Sequence, residues 1–163
     1  MPDRAIIETA TALIELCVQK KLKIATAESC TGGLVAGALT EVPGSSAVVD
    51  RGFVTYSNAA KQQMLGVSAD ILRKHGAVSR ETAEAMVRGA LGKADVDLVV
   101  AITGIAGPGG GNADKPVGLV HFAAGSRAGA INAVEMRYGD IGRTEVRRRS
   151  VLQALAMLTE LAE

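Results

Sequence analysis

Three features of the chain predict an α/β fold, a three-layer α/β/α sandwich around a mixed central sheet. Ile6, Ile7, Ala10, Leu13, Ile14, Cys17 and Val18 recur at helical spacing, so residues 3–20 read as an amphipathic helix. Leu98-Val99-Val100-Ala101-Ile102-Thr103 is a continuous apolar run, the pattern of a central strand covered on both faces. Residues 117–124 and 131–138 are two further strand-like runs, and 125–129 between them reads as a hairpin loop, which makes part of the sheet antiparallel. Helices on both sides of such a sheet are the way to bury it.

The remaining elements follow in order. Leu22, Ile24 and Ala25 supply a short strand. Thr31-Gly32-Gly33 then opens a helical pattern through Leu34, Val35, Ala38 and Leu39, ending near Val42 ahead of Pro43-Gly44. Residues 45–50 make a connection. Arg51-Gly52-Phe53-Val54-Thr55-Tyr56-Ser57 is rich in β-formers and reads as the second strand. Asn58 is placed to cap a short helix carrying Lys61, Met64 and Leu65, closed by Gly66. Residues 68–74 form another short helix. Ser79 caps a longer one with Ala83, Met86, Val87, Ala90 and Leu91 on one face. The last helix starts near Ile141 and carries Val151, Leu155, Leu158 and Leu161. No internal repeat or linker interrupts the pattern, so residues 1–163 are expected to form a single domain.

Composition narrows the function classes. At 163 residues the chain buries roughly two thirds of its unfolded surface and needs no covalent staples. Apolar residues make up 48% but aromatics only 2%, with no Trp, so the core must come from Ala, Val, Leu, Ile and Met. The net charge of +1 gives no global pull toward nucleic acid or an anionic membrane. No apolar run approaches the ~20 residues of a membrane span, and the charged N-terminal segment does not read as a signal peptide. Cys17 and Cys30 make no disulfide framework, and a reduced cytoplasmic setting is expected. His75 and His121 lie far apart, and His121 sits inside a strand pattern. A His-based triad or a zinc site therefore has little support.

The chemistry concentrates at the first strand-to-helix turn, Ala27-Glu28-Ser29-Cys30-Thr31-Gly32-Gly33. Ligands of open α/β sheets bind at the carboxyl edge of the strands, and a helix start there favours an anion. A serine at that turn can attack a carbonyl beside backbone donors for the oxyanion. Ser29 or Thr31 as a simple helix cap is the other reading of the same residues. Gly104-Ile105-Ala106-Gly107-Pro108-Gly109-Gly110-Gly111 directly follows the apolar strand. It is neither a dinucleotide fingerprint nor a P-loop. It can bring backbone close to a ligand, or be a flexible surface loop. Arg143 and Arg147 share a helix face at the first turns of the last helix, where the macrodipole disfavours cations. They suit a phosphate or carboxylate, or form a solvated basic face with Glu145 and Asp140.

These residues resemble the CinA C-terminal domain family over nearly the whole chain. The motifs are Ala27-Glu28-Ser29-Cys30-Thr31-Gly32-Gly33, Gly52-Phe53-Val54-Thr55-Tyr56-Ser57-Asn58 with Lys61, Thr103-Gly104-Ile105-Ala106-Gly107-Pro108, and Lys115-Pro116-Val117-Gly118, in the family's order. Stand-alone members are nicotinamide-nucleotide amidohydrolases, which convert nicotinamide mononucleotide (NMN) and water to nicotinate mononucleotide and ammonia in pyridine nucleotide salvage. In many bacteria the domain follows a larger nucleotide-processing domain, whose activity is not expected of these residues.

The resemblance implies a serine–lysine amidase without cofactor or metal, acting on a small molecule, in a homo-oligomer. It implies Ser29 as nucleophile, Lys61 as a base that is neutral when it acts, and Tyr56 as an orienting or proton-relaying group. Backbone N–H groups of Cys30 and Thr31 would hold the oxyanion. Gly32, Gly33, Asn58, Thr103, Gly104, Gly107, Arg143 and Arg147 complete the expected binding set, with the arginines and the glycine-rich loop on ribose and phosphate. Ser29 and Lys61 lie on separate turns, which parallel neighbouring strands would bring to one edge. Two rivals stand beside this: a nucleotide-binding regulatory module without turnover, and a cysteine hydrolase using Cys30.

Overall fold

The computed structural model describes residues 3–163. Five strands form one mixed sheet in the order β2-β1-β3-β4-β5. They are β1 (Ile24–Glu28), β2 (Val49–Val54), β3 (Leu98–Gly104), β4 (Leu119–Ser126) and β5 (Ile131–Arg137). β1 runs parallel to both β2 and β3, while β3–β4 and β4–β5 are antiparallel. Six helices cover the sheet: α1 (Arg4–Lys20), α2 (Leu34–Thr40), α3 (Asn58–Leu65), α4 (Ala69–His75), α5 (Arg80–Lys93) and α6 (Arg143–Ala162).

The period of two along β3 divides the core. Leu98, Val100 and Ile102 join the cluster built with α1, α2 and α6, and Val99 and Ala101 join the cluster under α3, α4 and α5. Both sets are buried, which is why that strand reads as apolar without alternation. The sandwich has the three expected layers. No helix among the described residues is long and apolar enough to cross a membrane.

Several boundaries differ from the sequence expectation, each for a physical reason. β2 begins at Val49 and stops at Val54, so Thr55, Tyr56 and Ser57 leave the sheet. Ser57, not Asn58, caps α3: its hydroxyl accepts from the Ala60 N–H at 3.0 Å, and Asn58 is the first helical residue. β4 starts and ends two residues later than its predicted run because Gly125 and Ser126 still pair with Val99 and Leu98 of β3, and the loop that follows begins with Arg127. Its guanidinium donates to the carbonyls of Leu91, Ala94 and Val96, closing the end of α5.

The start of α2 disposes of the capping reading of that turn, because neither Ser29 nor Thr31 caps it. Gly33 occupies the cap position without a side chain, and Gly32 and Gly33 have φ of +57° and +101°. Two successive left-handed residues are where a Cβ is penalised, so the glycine pair has a backbone reason. The cap comes from the preceding strand. The Glu28 carboxylate, fully buried, accepts the N–H groups of Val35 at 2.9 Å and Ala36 at 3.0 Å, and the Thr26 hydroxyl at 3.1 Å. The positive end of α2 is thus already satisfied by an internal anion.

Glu28→Gln leaves one oxygen for two N–H groups and turns an amide N–H₂ toward them. Losing a charged hydrogen bond costs roughly 1.5–3 kcal/mol, which in a domain of this size lowers Tm by roughly 3–12 °C. Thermal unfolding followed by circular dichroism checks this; an unchanged Tm would show that the carboxylate charge does not hold the helix start.

Candidate active site

Parallel pairing of β1 with β2 and β3 places three carboxyl-terminal turns at one edge. Ser29 follows β1, and its N–H donates to the Ile102 carbonyl of β3 at 2.9 Å. Thr55 follows β2, and its N–H donates to the Glu28 carbonyl at 2.8 Å. Both turns are therefore fixed by continuing the sheet ladder past its ends.

Lys61 is 1% exposed and Ser29 8% exposed. Lys61 comes from the first turn of α3, and its Nζ lies 3.0 Å from Ser29 Oγ, 2.8 Å from the Thr55 carbonyl oxygen and 3.5 Å from that of Tyr56. Among the described residues no carboxylate forms an ion pair with it. Burial holds the amine below the usual lysine range. The geometry suits a neutral amine. Two carbonyls require two N–H donors, and the third neighbour is a hydroxyl that can itself donate to the nitrogen lone pair.

Cys30 lies beside this pair but differs in kind. Burial pushes its thiol up to about 12, so it is protonated at neutral pH. The Cys30 side chain packs in the core cluster beneath α2 and α6. The N–H groups of Cys30 and Thr31 donate to no other residue's backbone carbonyl among the described residues, whereas that of Ser29 is committed to Ile102.

Ser29, Cys30, Tyr56, Lys61, Thr103, Gly104, Gly107 and Arg143 line one cleft of about 270 Å³. That is near the small end for a ligand pocket. Tyr56 is 61% exposed, and its hydroxyl accepts from Arg143 at 3.0 Å while the other guanidinium nitrogen donates to the Gly107 carbonyl at 2.9 Å. Arg143 thus joins the rim after β2 to the glycine-rich loop. The Tyr56 contact to Lys61 runs through its backbone carbonyl and not its ring. Thr103 Oγ1 donates to the Ala77 carbonyl at 2.8 Å. Gly104 ends β3 where a Cβ would meet the Leu119 carbonyl at 2.9 Å, so its absence allows strand contact.

Thr31, Gly32, Gly33, Asn58 and Arg147 do not line the cleft. Thr31 is buried behind the turn, and Asn58 is exposed on α3. Arg147 shares a helix face with Arg143, but its guanidinium turns to the carbonyls of Cys30 at 3.2 Å and Thr31 at 3.4 Å. The two arginines do not form one anion clamp: one faces the cleft and one braces the turn from behind. Ala77 and Val78, in the link from α4 to α5, also line the cleft, and no motif in the sequence singles them out. Their only signal was proximity to a capped helix start at Ser79. His121 lies in β4, 3.6 Å from Glu135, and burial lowers its pKa. Among the described residues no group of three or more His, Cys, Asp or Glu is placed to hold a metal ion.

Residues 7–162 match the family model described as CinA C-terminal domain. A CinA-like protein of Mycolicibacterium vanbaalenii is 48% identical over 158 residues, covering 95% of this chain and 37% of the relative. One from Akkermansia muciniphila is 47% identical over 142 residues, covering 87% of this chain and 34% of the relative. The chain thus spans little more than a third of the curated relatives it matches. Among solved structures, the competence/damage inducible protein CihA from Agrobacterium tumefaciens is 56% identical with a TM-score of 0.98, covering 100% of this chain and 99% of that one. A CinA superfamily protein from Escherichia coli is 36% identical with a TM-score of 0.91, covering 99% and 93%.

Proposed function

Because the chain belongs to the CinA C-terminal domain family, we propose that it is a nicotinamide-nucleotide amidohydrolase, hydrolysing NMN to nicotinate mononucleotide and ammonia by a serine–lysine mechanism. The observation that carries this reading is Lys61 Nζ at 3.0 Å from Ser29 Oγ, buried and without an acidic partner. A regulatory binding module needs a nucleotide-shaped cleft but has no use for an amine desolvated against a hydroxyl.

In the proposed reaction, Ser29 Oγ attacks the carboxamide carbon as Lys61 takes the hydroxyl proton. The tetrahedral oxyanion is held by backbone N–H groups of the turn after Ser29, chiefly that of Cys30, which lines the cleft where Thr31 does not. Collapse breaks the C–N bond, and the proton on Lys61 goes to the departing ammonia. Water, deprotonated by Lys61, then attacks the Ser29 ester; collapse breaks the bond to Ser29 Oγ, which takes that proton back from Lys61 as the nicotinate product leaves. The setting is cytoplasmic and the enzyme a homo-oligomer on this reading, the latter checked by light scattering.

Ammonia release from purified protein with NMN tests the reading directly. Wild-type protein that binds NMN without turnover would replace it with the binding-module reading. Arg143 is the guanidinium of the pair that faces the cleft, and the phosphate is the substrate group that chemistry leaves untouched. Arg143→Ala should lower kcat/KM for NMN by roughly 10- to 150-fold, the value of one charged hydrogen bond, with a far smaller loss for nicotinamide riboside. Equal losses for both substrates would assign Arg143 to holding Tyr56 and Gly107 instead. Arg147→Ala should weaken both substrates alike, since it braces the turn that carries the oxyanion donors.

A further inference from the structure

Lys115 has no part in the reaction as proposed above, although it opens one of the four motifs. It sits at the end of the glycine-rich loop, in a turn closed on Asn112. The Asn112 carboxamide oxygen accepts the N–H groups of Asp114 at 3.0 Å and Lys115 at 2.7 Å, and the Asn112 N–H donates to the Lys115 carbonyl at 2.9 Å. From this fixed base the Lys115 side chain crosses to α4, where its Nζ donates to the His75 carbonyl at 2.6 Å. His75 ends that helix, where carbonyls lack partners and the macrodipole favours a cation. Lys115 makes no ion pair among the described residues. The approach is close: a Cβ on Gly76 would stand 3.0 Å from Nζ.

The position of this bond gives it a consequence for the cleft. The loop supplies one wall through Ile105, Ala106, Gly107 and Gly110, and the segment just after His75 supplies another through Ala77 and Val78. Among the described residues no backbone hydrogen bond joins these two walls. Among the described residues the second wall is tied to the sheet by Thr103 Oγ1 on the Ala77 carbonyl, and its hydrogen bond to the loop segment is that of the Lys115 ammonium on the His75 carbonyl just before it. At its other end the loop is held by Arg143 on the Gly107 carbonyl.

We infer that Lys115 is a positioning residue, a latch that sets the width of the cleft by fastening the glycine-rich loop to the end of α4. Five glycines between residues 104 and 111 give the loop many conformations to lose on ligand binding. The latch removes part of that loss in advance, so its effect falls on binding and not on the chemical step. What it helps to bind rests on the amidase reading; that it holds the two walls together does not.

The test uses Lys115→Met, which keeps the length of the side chain and removes the donor, and Lys115→Arg, which keeps a cationic donor. Hydrogen–deuterium exchange should quicken in residues 104–116 and 76–79 of the methionine variant and stay near wild type in the arginine variant. With NMN, Lys115→Met should raise KM roughly 10-fold while kcat and its pH profile hold, and Lys115→Arg should recover most of the loss. Unchanged exchange in both segments overturns the latch. So does a loss confined to kcat with a shifted pH profile, which would place Lys115 among the charges acting on Lys61. Exchange needs no turnover: loosening of both segments in a protein that releases no ammonia overturns the amidase reading and leaves the latch standing.

Discussion

Ser29→Ala should abolish ammonia release from NMN while leaving the fold unchanged, and Cys30→Ala should keep most of the activity. Removing a catalytic serine oxygen deletes the covalent route, and such losses are on the order of 10⁴- to 10⁶-fold. The fold should survive because Ser29 Oγ caps nothing: the start of α2 is held by Glu28, and the turn itself by the Ser29 N–H on Ile102. Cys30 is the natural rival, one residue away and lining the same cleft. Its thiol is pushed up to about 12, which leaves almost no thiolate at neutral pH, and neither histidine lies among the residues lining that cleft. The thiol contributes packing, which alanine largely preserves. Ammonia assays on both variants, with circular dichroism to confirm folding, decide the matter. An inactive Cys30→Ala beside an active Ser29→Ala would replace the serine mechanism with a thiol one.

The contrast between these two neighbours shows what could be read from the chain and what could not. The apolar run at β3, the helical period of α1 and the hairpin of β4 and β5 are local patterns, and local patterns identify the layers. That Ser29 and Lys61 meet is a tertiary fact. It follows from β2 pairing parallel to β1, which brings Ser29 and Lys61, 32 residues apart in sequence, to one edge. The cap of α2 was invisible for the same reason. Capping signals look for an acceptor at the residue just before the helix, and here it arrives from the strand beneath, through Glu28. Ser57 and Asn58 are both good caps in succession, and only the bond to Ala60 shows which serves. The i, i+4 spacing of Arg143 and Arg147 puts them on one face of α6, but spacing does not fix where a long side chain ends. One guanidinium reaches Tyr56 and Gly107, the other the carbonyls behind Ser29.

Lys61→Arg should be nearly inactive although the positive charge is kept, and Lys61→Met should be inactive as well. A guanidinium does not give up its proton at working pH, so it cannot accept one from Ser29. General-base assistance is worth roughly 10²- to 10⁴-fold, and losses in that range are expected. The pH dependence then tests the base from two sides. Burial lowers the Lys61 pKa in the folded protein, so kcat/KM should rise with pH through that lowered value as the amine becomes neutral. The same shift acts on stability. Between the folded and the ordinary lysine pKa the unfolded chain carries a proton that the folded chain lacks, so stability rises with pH across that window. Lys61→Met lacks this contribution, and its stability curve should be flatter there, by up to about 1.4 kcal/mol per pH unit. Denaturant unfolding across pH gives one estimate of the pKa and the rate profile another, and they should coincide. An active arginine variant, or a rate profile that stays flat where the stability curves of wild type and Lys61→Met diverge, would remove Lys61 from the base role.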